Sequence, residues 1–298
     1  MGGLTVLLLL AGLFSPEWFR QAIRSFDHRF TDGMFRIRGE KSTTDQVVLV
    51  DIDEKSLRAL GQWPWPRNQI AQLIRQIYRH QPRVIGLDIV FPEPDRLSPA
   101  RYAASLSGEE GMQLPNSVKQ VDYDSILGKA VEECGVIPGY MFIMHDDGLP
   151  IDDECPFPMC GIQLAGEVNN PTHSFSIAYR PLLNIPAICQ NACTEGYFNT
   201  FPDPSGMIRK VPLFIALDGT PYPSLALEMA RVGLKESGYQ IHAGRFGILG
   251  VGMGKRFLPT DDKAQATLNW RGAARHFSYV SAVDILENRV QTKQLAGK

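Results

Sequence analysis

The sequence predicts an α/β domain built on a mostly parallel sheet, and three observations carry that expectation. Two β-branched runs, VVLVDI at Val47 to Ile52 and VIGLDIVF at Val84 to Phe91, are apolar without alternation, the mark of strands covered on both faces. Between them Ile70, Leu73, Ile74 and Ile77 recur on one helical face, and Pro82 follows the helix end. Strand, helix and strand in that order form a right-handed βαβ unit, which places the two strands in one parallel sheet.

The other elements follow along the chain. LTVLLLLAGLF (Leu4 to Phe14) is apolar throughout, yet it has about half of the roughly 20 residues that a membrane-spanning helix needs. No basic residue precedes it and no small-x-small cleavage site follows, so a complete signal peptide is a poor match. Residues 1–14 read as a partial transmembrane helix, with a buried core helix as the alternative. Residues 15–39 read as a juxtamembrane amphipathic helix. Phe19, Ile23, Phe26, Phe30 and Met34 recur at spacings of three and four, Arg20, Arg24 and Arg29 lie on other faces, and Gly39 ends it.

Residues 40–298 form the main domain. After the βαβ unit, DSILGKAVEECG is helical and VIPGYMFIM (Val136 to Met144) adds a further parallel strand. Segments 92–122 and 145–172 are rich in turn formers and acids and read as long surface excursions. FPDPSGMIRKVPLFIALDGTPYPS carries two short strands with Asp-Pro-Ser-Gly and Asp-Gly turns, a β-hairpin signal, and LALEMARVGL then forms a helix. ATLNW is a short strand and VSAVDILENRV a last helix; no internal repeat is present.

With 298 residues, of which 44% are hydrophobic and 21% charged, the chain can bury a sizeable core. Thirty Lys and Arg against 32 Asp and Glu give a net charge of −2 with no long run of one sign, so nothing points to nucleic acid or an anionic membrane surface.

Three acids stand at expected strand ends. Asp51 and Asp53 share a face if the first strand persists, and Asp88 lies near the end of the second. Ligands of open α/β sheets bind at that edge, so the three acids suit a divalent cation held by oxygen ligands. The plainer reading makes Asp53 a helix cap and gives Asp51 and Asp88 hydrogen bonds from loop amides or from Arg67. A metal-dependent hydrolase using these aspartates is the sharper alternative, but no phosphate loop, GxSxG or HExxH accompanies them. GVGMGKR at Gly250 to Arg256 lacks P-loop spacing and reads as a hairpin turn, and His145 reads as a surface histidine. No cofactor is expected beyond such a cation.

Of the five cysteines, Cys155 with Cys160 and Cys189 with Cys193 form two close pairs, and Cys134 stands apart as a small buried residue. Disulfides among the four are the leading reading, either across the pairs or within each; a four-thiolate zinc site is the second. Cys189 and Cys193 are four apart in a helical stretch, which would turn both sulfurs the same way.

VVLVDIDEKSLRALGQWPWPR, VIGLDIVFPEPD, GYFNTFPDPSGMIRKVPLF, YPSLALEMA, LNWRG and YVSAVDIL occur here in the order of the CHASE2 domain, which the chain resembles from about residue 30 to its end. The resemblance implies the extracytoplasmic sensory module of a bacterial transmembrane receptor at the inner membrane. It also implies an output such as a cyclase, histidine kinase or diguanylate cyclase that is not in this sequence, and no catalysis by the module itself. The sequence stops at LAGK where the family continues into a strand and further membrane segments, so the chain reads as a fragment. Its expected partners are an unidentified small ligand or a periplasmic protein, the membrane through the N-terminal helix, and a second copy through the amphipathic segment at 17–37. A purely structural interaction module remains the third reading.

GQWPWPR at 61–67 reads as a stiff strap at the binding edge, because Pro64 and Pro66 hold Trp63 and Trp65 extended. At least one tryptophan is expected to pack over the sheet edge, with Arg67 reaching Asp51, Asp53 or Asp88.

Overall fold

The computed structural model describes residues 17–105, 115, 120–150, 155, 161–166 and 174–298. The apolar run at 4–14 lies outside them, and among the described residues no helix is long and apolar enough to cross a membrane. The chain divides into two units, residues 1–44 with 269–277 and residues 45–268 with 278–298. Segment 269–277 thus joins the first unit, which no local signal in the sequence announces.

In the first unit, α1 (Glu17–Arg38) occupies the expected amphipathic segment, and Gly39 closes it with φ +70. Ile23, Phe26, Phe30, Met34 and Ile37 along this helix are exposed. The returning segment is tied down by the amide of Lys41 donating to Arg271 O at 2.7 Å, and Arg38 donates to Trp270 O.

The second unit opens with β1 (Val48–Asp51), α2 (Glu54–Leu60), α3 (Arg67–Arg79), β2 (Ile85–Leu87), α4 (Pro99–Ser105), α5 (Tyr123–Cys134) and β3 (Val136–Ile143). It continues through β4 (Gly161–Gly166), β5 (Ser176–Ile177), β6 (Arg180–Leu182), α6 (Pro186–Cys189), β7 (Gly196–Tyr197), β8 (Lys210–Pro212), β9 (Phe214–Leu217), β10 (Thr220–Pro223) and α7 (Leu225–Gly233). The last elements are β11 (Gly238–Gly244), β12 (Gly247–Met253), β13 (Arg256–Pro259), β14 (Gln265–Thr267), β15 (Ser278–Ser281) and α8 (Ala282–Leu286).

The fold is mixed α/β, as expected, but it is spread over several sheets in which parallel and antiparallel pairs are equally frequent among the described residues. The expected βαβ unit is corrected in its pairing. β1 pairs in parallel with β15, Val48 opposite Ser278 and Asp51 opposite Ser281, whereas β2 pairs in parallel with β3 through the crossover that contains α5. Strands adjacent in sequence are spatial neighbours only about two-thirds of the time, and here a strand from the far end of the chain takes the place beside β1. Val280 and Ser281 of that strand are the residues with which the expected last helix begins.

Helix α3 buries Ile70, Ala71, Leu73, Ile74 and Ile77, the expected face, against Trp65, Phe91, Leu127, Val131, Val280 and Ile285. Each such aliphatic side chain contributes roughly 1.5–3 kcal/mol on burial. Helix α5 starts on Asp122, which accepts from the amide of Asp124, and ends on Gly135 in the left-handed region. β9 and β10 form the expected hairpin, with Asp218 and Gly219 both at positive φ as a tight primed turn requires. GVGMGKR is likewise the β12–β13 turn. The excursion at 145–172 departs from expectation at β4, which pairs in parallel with β11. GIQLAG has too few apolar residues to announce a strand.

Candidate functional site

The strap at 61–67 separates its two tryptophans. Gly61, at φ +94, ends α2 in a conformation that residues with a Cβ rarely adopt. Trp65 is 1% exposed in the core, and its indole Nε1 donates to Gly61 O at 2.9 Å. Trp63 is 39% exposed, its ring centroid 6.2 Å from that of Trp65. One tryptophan therefore anchors the strap and the other offers a face to solvent.

Arg67 opens α3, and its partners differ from those expected. Its amide donates to Asp95 Oδ2 at 2.8 Å, its guanidinium lies 4.1 Å from the Phe91 ring centroid, and Nε stands 4.0 Å from Asp124 Oδ1. Asp124 in turn accepts the amide of Asp95 at 3.1 and 3.0 Å. The loop after β2 is thus fastened to the first turns of α3 and α5. Burial lowers the basicity of Arg67 against the opposing pull of Asp95 and Asp124, and burial raises the Asp124 carboxyl above its ordinary value. Asp95 comes from the segment expected to be a surface excursion and Asp124 from the first turn of an expected helix, and neither position in the sequence announces a partner for Arg67.

The three strand-end aspartates take different places in the fold. Asp53 caps α2: its Oδ1 accepts from Ser56 N at 2.9 Å, Ser56 Oγ at 2.8 Å and Ser281 Oγ at 2.8 Å. Partial burial raises its carboxyl, but these bonds outweigh that and hold it below the ordinary value. Asp51 ends β1, opposite Ser281. Asp88 follows β2 and is exposed, although protein on its inner side removes enough water to push its carboxyl up. Among the described residues no group of three or more His, Cys, Asp or Glu is placed to hold a metal ion. The ends of β1 and β2 are not neighbours in one ladder, so the shared sheet edge from which that cation site was expected is not formed by these two strands.

The cysteine readings resolve in part. Cys155 and Cys189 form a disulfide with a Cα–Cα distance of 6.0 Å, which ties Cys155 to α6. Cys193 is an exposed thiol, Cys134 is a buried one, and Cys160 lies outside the described residues. Cys189 and Cys193 do not face the same way, because α6 is a single turn that ends at Cys189.

Two buried polar groups were missed altogether. Asn184 accepts the amide of Phe91 at 2.9 Å and donates to Gly139 O at 3.0 Å and to Glu195 Oε1 at 2.9 Å. Glu195 is 3% exposed, and burial pushes its carboxyl up to about 7 against the pull of Asn184. Glu228, fully buried on α7, accepts from Thr194 Oγ1 and Tyr239 OH, both at 2.6 Å, and from Arg231. There burial raises the carboxyl but the bonds from Arg231, Thr194 and Tyr239 prevail and lower it. The signal for both was a polar residue inside an apolar run, as in PLLNIPAIC and LALEMA.

The family model of the CHASE2 domain matches residues 4–298. No curated protein and no solved structure matches the chain.

Proposed function

The chain belongs to the CHASE2 family of extracellular sensory domains, and from that premise we propose that it is the extracytoplasmic ligand-sensing part of a bacterial transmembrane receptor. The observation that carries this reading is the extent of the family match, residues 4–298. The Cys155–Cys189 disulfide supports a location outside the inner membrane, since such bonds persist in oxidising compartments. In the whole receptor the signal passes through membrane helices to a cyclase, kinase or diguanylate cyclase.

The strap edge serves as the ligand-facing edge. Trp63, Asp51 and Asp88 keep surface to offer a small ligand or a periplasmic partner, while Trp65, Arg67 and Asp53 hold that edge in shape. Sensing requires the ligand to bind two conformations with different affinity. A homodimer through α1 supplies the transmission route, because Ile23, Phe26, Phe30 and Ile37 are exposed and stand three, four and seven apart, the register of a coiled-coil seam with Gly33 at the one position between Phe30 and Ile37.

Two reporter fusions after Lys298 test the placement. Alkaline phosphatase, which folds only outside the inner membrane, is active and β-galactosidase inactive if the reading holds; the reverse pattern overturns it.

A further inference from the structure

The larger unit holds a cavity of about 550 Å³ lined by Arg83, Gly233, Leu234, Lys235, Arg256 and Gly297. Three of these residues are cations and none is an acid. They arrive from three places in the fold: Arg83 leads into β2, Lys235 follows α7, and Arg256 starts β13. Among the described residues no carboxylate pairs with the side chain of Arg83 or Lys235, although the amide of Arg83 donates to Lys298 O at 2.6 Å, and the ion pair of Arg256 is a loose one to Glu236 at 4.0 Å. Cations gathered by separate elements on a concave wall repel one another and focus a positive field into it, which a bound anion would relieve.

The backbone of Lys235 adds an independent observation. Lys235 follows the C-cap Leu234 with φ +59. Helix ends usually give this left-handed position to glycine, because a Cβ is strained there. Gln81 and Asn288 take the same left-handed position after α3 and α8, and of the three it is Lys235 that lines the cavity. The stem of Arg83 lies against the end of α7: a methyl group at Gly233 would be in ordinary contact with Val84 Cγ1 at 3.6 Å and Arg83 Cδ at 3.7 Å.

We propose that this cavity binds a compact oxyanion of two or more negative charges, either phosphate or a small polycarboxylate. Arg83 and Arg256 supply guanidinium forks and Lys235 a point charge, a set suited to several oxygens on one small ligand. The site is separate from the strap edge and does not depend on the sensing reading.

The test is thermal unfolding of the full 298-residue chain in rising inorganic phosphate or citrate, with ionic strength held constant by sodium chloride. A saturable rise of the midpoint with phosphate, citrate or both is expected, and the arm that responds identifies the source. Lys235→Gly relieves the left-handed strain, so the ligand-free variant should unfold no earlier than the parent, while its apparent affinity falls about tenfold, the loss of one charge-assisted contact. Arg256→Gln should weaken binding similarly. No saturable rise with either anion, or a rise that Lys235→Gly leaves unchanged, overturns the proposal, and the cations then serve only the negative end of α7. Either failure leaves the receptor reading standing, because that is judged by the reporter fusions.

Discussion

Asn184 donates to Glu195 Oε1 at 2.9 Å while also holding the amide of Phe91 and the carbonyl of Gly139. One amide thereby joins the loop after β2, strand β3 and the start of β7 around a buried carboxyl. The neutral acid fits this setting better than the anion, because a lone amide donor offsets little of the desolvation cost of a charge.

A pH dependence follows, with a definite sign. Glu195 has a folded value of about 7 against an ordinary 4.5, so between those values the folded chain holds a proton that the unfolded chain has released. Its contribution is fully present below about pH 4.5 and is lost as pH rises through 7. Glu195→Gln keeps an acceptor for Asn184 and cannot ionise. Denaturant unfolding at pH 5 and pH 8 should show the variant gaining on the parent at pH 8, by on the order of 3 kcal/mol. Equal pH slopes in the two proteins would remove Glu195 as the titrating group.

The two tryptophans of the strap should separate in stability. Trp65→Ala empties a core position and should cost about 3–5 kcal/mol, whereas Trp63→Ala should cost less than about 1 kcal/mol. Urea midpoints of the two variants check this, and comparable losses would mean that Trp63 is not the solvent-facing member.

Arg67→Ala leaves Asp124 and Asp95, both buried, without their nearby cation. Removing one partner of a buried charged group costs about 3–5 kcal/mol. Arg67→Lys should recover only part of this, because an ammonium cannot stack flat on Phe91 as the guanidinium does. Full recovery by lysine would show that charge alone matters.

The seam on α1 predicts self-association. Phe26→Asp places a carboxylate in the exposed apolar row and should shift the chain from dimer to monomer in sedimentation equilibrium, with the circular dichroism spectrum unchanged. A chain that is already monomeric at micromolar concentration would contradict the proposed transmission route.

Much of this architecture was legible because its signals are local. The 3.6-residue recurrence of Ile70, Leu73, Ile74 and Ile77 marked α3, Asp218-Gly219 marked the hairpin, and Asp53 stood where a cap belongs. Pairing was not legible. Val48 meets Ser278 across most of the chain, and only the folded core decides which of several apolar strands lies beside which. The site suffered for the same reason: Arg67 was assigned to aspartates near it in an assumed sheet, whereas Asp95 and Asp124 reach it from loop and helix starts whose position depends on the whole fold.

The extracytoplasmic placement is tested most directly through the thiol of Cys193. Cys193 is exposed, Cys134 is buried, and Cys155 is bonded to Cys189, so a Cys160→Ser background leaves one reactive thiol. In intact cells producing the whole receptor, a membrane-impermeant maleimide should label this variant and should fail to label the Cys160→Ser, Cys193→Ser double variant. Labelling of Cys193 only after the cells are lysed would contradict the placement of this domain outside the inner membrane.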